Sequence, residues 1–396
     1  MQSAISHIPM PESLTVTVSD RGAARWARGH PWIYRSDVVD SPAAAGLARV
    51  TDPRGRFLGQ ALCSPRSEIT LRLLERSERP IDATWWRERI HDAAGRRAGI
   101  DANAWRVIHG EADGIPSLIV DRYDRWLVVQ LLSAGLDRFQ DDVLAALAAE
   151  LSPEGILLRN DVAVRRLEGL PEEVRLVFGE VPREIEVREG SIRYLASPWT
   201  GQKTGAFLDQ RPNRVLAHSL VPDAGEALDC FAYHGSFALH LAARAGRVIA
   251  QDISADALAR GALNARLNGF GNIEWLEGDA FQVLRDFEHR RRHFDTVVLD
   301  PPAFAKSKAS IPEALRGYKE INLRALRLLK PGGHLLTASC SFHVRRPEFL
   351  KMLAEAAADS GRRTRLVQLI GPGVDHPEIL TIPETGYLKG AVLQAL

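Results

Sequence analysis

Two apolar runs of this chain end in groups that can do chemistry. One reads "TVVLD" and stops at Asp300 ahead of Pro301, Pro302 and Phe304; the other reads "LLTASC" and stops at Cys340 between Ser339 and Ser341. A cysteine at a strand end, next to a bound reactant, can be partly exposed and activated below its free pKa of about 8.5. Such a thiolate can add to carbon 6 of a pyrimidine, making the poorly nucleophilic carbon 5 enamine-like, and leave again by elimination. The bland alternative is a buried apolar cysteine, the usual state of this residue. The flanking serines and the strand-end position favour the nucleophile. In "DPPAF" the prolines stiffen the chain after Asp300, and Phe304 offers a face on which a base can stack.

Other acids stand at neighbouring strand ends. "LDCFAYHGSF" carries Asp229 and a single close-turn glycine, Gly235; "IAQDIS" carries Asp252; "EGDAF" carries Asp279. Asp252 is suited to ribose hydroxyls and Asp279 to an adenine amino group. The GxGxxG loop that cradles a dinucleotide pyrophosphate is missing, which disfavours a nicotinamide enzyme. A nucleoside site without a phosphate loop points to S-adenosylmethionine. Any one of these acids is more often a turn former or helix cap. Several at successive strand ends are harder to dismiss.

Positioning these tips requires a sheet. After about Ser191 the chain alternates strands with helices, and Ser254 stands as the N-cap of "ADALARGALNARLNGF". This α/β alternation predicts a parallel, doubly wound sheet with ligands beyond its carboxyl edge. Residues 11–78 instead show short strands punctuated by Gly, Pro, Asp and Ser, which predicts a small β-barrel. Residues 79–190 mix the helical "ATWWRERIHDAAGRRAGI" and "DRFQDDVLAALAAEL" with a hairpin around "RYDR", a separate α+β unit. Residues 191–396 form the third unit.

The 396 residues, 45% hydrophobic and 26% charged, suit a globular protein of two or three domains. No apolar run reaches the roughly 18 residues a membrane span needs, and the start has no signal layout, so a cytoplasmic location is expected. Cys63, Cys230 and Cys340 are too few and too scattered for a disulfide framework or a zinc site, and no metal is expected. Cys63 and Cys230 read as structural. A net charge of +1 does not choose a partner, although "RGAARWARGHPW" and "HRRRHF" could form basic patches.

The segments "RGHPWIYRSDV", "GEADGIPSLIVDRY", "KTGAFLDQR", "LDCFAYHGSF", "DPPAF", "RGYKEIN", "ASCS", "DHP" and "YLKG" together resemble the bacterial 23S rRNA large-subunit methyltransferase I family, over nearly the whole chain. The resemblance implies a PUA domain, a central α+β domain and a class I methyltransferase domain. It implies formation of 5-methylcytosine in 23S rRNA, with S-adenosylmethionine as cofactor and Cys340 as nucleophile. Asp300 would bond the cytosine edge near N3 and touch the cofactor. Phe231, Tyr233 and Gly235 match the cofactor loop, and Lys203, Thr204, Gly205, Phe207 and Asp209 match a segment closing over the methionine end. A second cysteine, present in the DPP-type motif of many RNA cytosine methyltransferases, is replaced here by Ala303.

The expected partner is 23S rRNA or a large-subunit precursor, not a membrane; whether the chain forms a homodimer stays open. Expected RNA contacts are Pro301, Pro302, Phe304 and Lys306 near the thiol, with Lys308, Arg316 and Lys319 beside them. In the barrel they are Arg25 and Arg28, with His30 and Trp32. Two other functions remain open: an amino-group RNA methyltransferase using "DPPAF" with a structural Cys340, and a noncatalytic RNA-binding assembly factor.

Overall fold

The computed structural model describes residues 14–305 and 307–396, and Lys306 lies outside them. The first sheet is built from β1 (Leu14–Thr17), β2 (Trp32–Tyr34), β3 (Gly46–Thr51), β4 (Phe57–Cys63) and β5 (Ile69–Glu75), in the order β1-β3-β4-β5-β2. Helix α1 (Asp20–Ala27) occupies much of the arginine-rich stretch read above as a basic patch. Its N-cap Ser19 accepts the Gly22 N–H, and Trp26 buries its ring among Val16, Val50 and Ala61.

The next stretch holds α2 (Ala83–Gly95), β6 (Ala104–His109), β7 (Leu118–Tyr123), β8 (Trp126–Leu131), α3 (Ala134–Asp137), α4 (Gln140–Leu151), β9 (Gly155–Arg159), α5 (Val164–Glu168) and β10 (Val174–Gly179). The expected hairpin is β7–β8, an antiparallel pair turning at Asp124, whose φ is 53°. The sheet runs β10-β9-β8-β7-β6, and Trp85 and Trp86 of α2 are buried against it. A two-stranded hairpin of β11 (Ile185–Glu189) and β12 (Ile192–Ala196) follows, lying across residue 190.

The last sheet contains β13 (Glu226–Cys230), β14 (Arg247–Asp252), β15 (Ile273–Glu277), β16 (Phe294–Leu299), β17 (Leu329–Ser339), β18 (Thr364–Ile370) and β19 (Lys389–Ala395). Its order is β15-β14-β13-β16-β17-β19-β18. The connecting helices are α6 (Arg211–Leu220), α7 (Ser236–Ala242), α8 (Ala255–Leu267), α9 (Ala280–His289), α10 (Ile311–Arg327) and α11 (Arg346–Ser360). Apolar side chains cover both faces of the sheet, as a doubly wound fold requires. Six strands run in one direction as expected. The exception is β19, which lies antiparallel to both of its neighbours, β17 and β18, and this corrects the all-parallel expectation. The chain order doubles back at β13, whose neighbours are β14 and β16, so the switch point opens above Cys230, Asp252 and Leu299.

Candidate active site

The cofactor-loop candidates lie directly above β13. Phe231 (φ 64°) and Tyr233 (φ 49°) hold left-handed backbone conformations that side-chain-bearing residues rarely adopt, and Gly235 (φ 83°) caps α7. A Cβ at Gly235 would stand 2.5 Å from Trp275 Cη2, so only glycine fits. Asp252 holds this loop in shape: its carboxylate accepts the Tyr233 N–H at 2.8 Å and the Ser254 N–H at 2.9 Å. Asp279 is exposed and caps α9 by accepting the Gln282 N–H, the ordinary role of an acid before a helix.

Sequence reasoning placed Asp229 at a strand end but assigned it no contact. It is fully buried, and among the described residues neither oxygen has a hydrogen-bond partner in good geometry. Burial raises its carboxyl well above the usual range, Asp300 and Asp252 raise it further, and the nearby Ala238 N–H opposes this only in part. An orphaned carboxyl beneath a strained loop suits a cationic, hydrogen-bonding ligand. Its place in "LDCFAYHGSF" was the available signal.

The segment before α6 folds over the opposite side. Lys203 (φ 55°) donates from Nζ to Asp209 Oδ2 at 2.8 Å, and Tyr387 donates its hydroxyl to the same oxygen at 2.6 Å. Burial alone would raise Asp209, but Lys203, His376 and the Tyr387 hydroxyl outweigh it and hold the carboxyl well below its ordinary value. The Lys203 ammonium lies 4.7 Å from the centre of the Phe207 ring, which meets Tyr233 edge-on at 5.5 Å. Thr204 does not offer its hydroxyl to the open site. It donates to Asp121 Oδ2 of the central sheet at 2.5 Å and lies 3.2 Å from the Tyr123 hydroxyl, which in turn accepts the Ala206 N–H. Gly205 has φ 136°, a conformation that favours glycine.

The acid and the thiol meet where β16 and β17 end. Gln210 Nε2 donates to Asp300 Oδ1 at 2.7 Å, and Asn213 Nδ2 donates to Gln210 Oε1 at 2.6 Å, so a short relay orients the carboxyl. Burial and the nearby Asp209 push Asp300 up to about 6, against the pull of Gln210 and Lys203. Cys340 is partly exposed, with Sγ 3.9 Å from the Pro301 carbonyl oxygen. Ser341 Oγ accepts the Ala305 N–H at 3.1 Å and pairs with the Tyr318 hydroxyl at 2.8 Å. Two contacts therefore staple the "DPPAF" loop to the cysteine tip.

The geometry departs from four expectations here. The free thiol is not activated: burial, then Asp300, push its pKa up, and Lys203 counters them only in part. Phe304 already packs against Tyr318 (4.6 Å between ring centres), Phe281 and Phe231, leaving limited face for a base. Pro301 is buried and only Pro302 is exposed. Lys319 is paired with Asp359 at 2.8 Å, while Lys308 and Arg316 are exposed.

The barrel patch is also only partly open. Arg28 is exposed, but Arg25 lies over Tyr34 and pairs with Asp37. His30 and Trp32 face other domains: His30 Nε2 lies 3.2 Å from Glu384, and Trp32 donates to Glu111 at 2.8 Å. Contacts so distant in sequence leave no local signature.

Comparison with known proteins gives the family. Residues 16–76 match a PUA-like domain family, and residues 163–382 match an S-adenosylmethionine-dependent methyltransferase family. Ribosomal RNA large subunit methyltransferase I of Vibrio cholerae is 39% identical over 383 residues, covering 93% of this chain and 96% of that protein. The chain belongs to the ribosomal RNA large subunit methyltransferase I family. Its cofactor is S-adenosylmethionine, and its fold is a PUA-like domain joined to a class I methyltransferase sheet. A Streptococcus mutans protein described as a SAM-dependent methyltransferase superposes with a TM-score of 0.82 at 17% identity, covering 96% of this chain and all of that one. A methyltransferase solved with SAH gives 0.84 over the same shares. At that identity the likeness shows the fold alone. Among the described residues no cluster of ligating side chains could hold a metal ion, and no helix is long and apolar enough to cross a membrane.

Proposed function

We propose that this chain methylates carbon 5 of a cytosine in 23S rRNA through a covalent Cys340 adduct. The observation that carries the reading is the double staple at the switch point, with Cys340 Sγ against Pro301 O and Ser341 Oγ against Ala305 N–H, which sets a thiol beside Asp300. The ribosomal substrate follows from the names of the relatives.

In the proposed reaction the Cys340 thiolate bonds to carbon 6, and the electron pair of the 5,6 double bond becomes available at carbon 5. S-adenosylmethionine supplies an electrophilic methyl group there. Asp300, pushed up to about 6, lies close enough to neutrality to hold a proton near N3 while the adduct forms. Loss of the carbon 5 proton to a base, for which water serves, then reforms the double bond and expels the thiolate. We propose Asp229, Asp252, Phe231, Tyr233, Gly235, Lys203, Phe207 and Asp209 as the cofactor site. Asp279 and Thr204 stay with it as support through a helix cap and an interdomain bond. Arg28, Pro302 and Lys308 are proposed RNA contacts, with Arg25 and Phe304 near them, and Lys306 is proposed with them on its place in the sequence alone. The division into units 11–78, 79–190 and 191–396 belongs to the same proposal, as does a cytoplasmic location, where ribosomal RNA is found.

The test is methyl transfer from labelled cofactor to unmodified 23S rRNA by wild type and Cys340→Ala, with the product mapped by mass spectrometry. The expected product is 5-methylcytosine, falling at least about 10³-fold in the variant. RNA carrying 5-fluorocytosine should trap an adduct at Cys340. A methyl on an exocyclic nitrogen, or transfer indifferent to the substitution, would leave the thiol a packing role and return the chemistry to "DPPAF".

A further inference from the structure

Lys389 opens β19 directly opposite Ser339, the last residue of β17 before Cys340. Its side chain is buried, 2% exposed, and its ammonium turns back over the strand end. Nζ donates to the Ser341 carbonyl at 2.6 Å and to the Tyr387 carbonyl at 2.8 Å. Among the described residues no carboxylate stands within 4.0 Å of it. A buried cation held only by carbonyl dipoles is costly, and such groups are ordinarily paired with an anion. One neighbouring group that can become an anion is the thiol of Cys340, one residue before the carbonyl that Lys389 holds.

We propose that Lys389 is a positioning residue whose ammonium serves as the counter-ion of the Cys340 thiolate across the end of β17. The inference rests on the reading of Cys340 as nucleophile and adds what supplies the missing positive charge. Burial lowers the Lys389 ammonium to about 8, Cys340 is foremost among the charges that raise it, Arg346 lowers it, and Glu348 and Glu378 raise it. Arg346 and Glu348 come from α11, and Glu378 from the segment before β19, where it is already engaged by Arg346 at 3.2 Å. Asp300 and Asp209 raise the thiol and Lys203 lowers it, while Tyr318 bonds the adjacent Ser341. The carboxylates around Cys340 thus oppose the thiolate. A cation fixed behind the strand end offsets them while leaving the open side of the sulfur free for the base.

The experiment measures the pH dependence of Cys340 alkylation by iodoacetamide, read at the Cys340 peptide by mass spectrometry, on the full chain without RNA or cofactor. Lys389→Met removes the charge and both hydrogen bonds; Lys389→Gln keeps an N–H donor without the charge; Lys389→Arg keeps the charge. Both neutral variants should move the midpoint up by about one unit, slowing alkylation about tenfold below it, while the arginine variant stays near wild type. An unchanged midpoint in the folded glutamine variant overturns the proposal, whether or not the methionine variant folds. Cys340→Ala activity tests the nucleophile separately, so either claim can fail while the other stands.

Discussion

At the seam between the central sheet and the catalytic sheet, buried carboxylates are matched by arginines. Arg97 grips Asp113 with two bonds of 2.6 Å and reaches the Asp375 carbonyl at 3.2 Å; Arg106 grips Asp121 with two bonds of 2.8 Å; Arg211 holds Asp375 at 2.9 Å. Burial would raise Asp121 and Asp375, but Arg106 holds the first, and His376 together with Arg211 holds the second, below their ordinary values. At the strand tips about the switch point the same residue type is buried without an arginine, and Asp229 and Asp300 rise. The seam uses charge to fix the two sheets against each other. The tips leave charge unmatched, where a ligand can complete it.

Breaking the seam should give the largest effect. Arg97→Ala leaves a buried aspartate short of its main partner and should cost about 3–5 kcal/mol of stability, read by urea unfolding. If the comparison holds, the folded fraction should bind cofactor nearly as well as wild type. Disturbing the tips should do the reverse. Gly235→Ala forces a left-handed alanine against Trp275, a strain of about 1–3 kcal/mol, and should weaken S-adenosylmethionine binding about tenfold or more by calorimetry, with a small change in melting temperature.

The smallest effect has the opposite sign. Asp300 ionises at about 6 in the folded chain and near 3.8 by default. The folded state therefore holds a proton that the unfolded state has lost between those values, and the stability it contributes falls as pH rises through 6. Asp300→Asn should raise stability by about 1 kcal/mol at pH 8, after allowing for solvent screening, and by nothing below pH 4. Equal melting curves at both pH values would put Asp300 among the matched carboxylates instead.

The parts legible in the sequence are those with a local cause. Strand tips follow from apolar runs that stop, and so Cys340, Asp300, Asp252 and Gly235 gather about the switch point as the βα alternation implies. The Ser254 cap and the "RYDR" turn are likewise short-range. What was hidden depends on residues far apart in the chain. Arg97 and Asp375 are separated by 278 positions, and His30 and Glu384 by 354. The direction of the Cys340 shift was missed for the same reason: burial raises it first and Asp300 next, and both depend on a loop from a different strand end. Thr204 lay within a motif read as cofactor-facing, yet its hydroxyl is claimed by a sheet that the motif does not mention.

Chain order and spatial order disagree at one edge of the catalytic sheet. β18 precedes β19 in sequence but meets the sheet only through it, because β19 lies between β17 and β18. During synthesis on a ribosome, β13 through β17 can pair as they emerge, while β18 must wait some twenty residues for its neighbour. The ammonium that reaches the Ser341 carbonyl arrives with that same late strand. The surroundings of Cys340 are therefore completed only once β19 has been made, well after β13 and the loop above it.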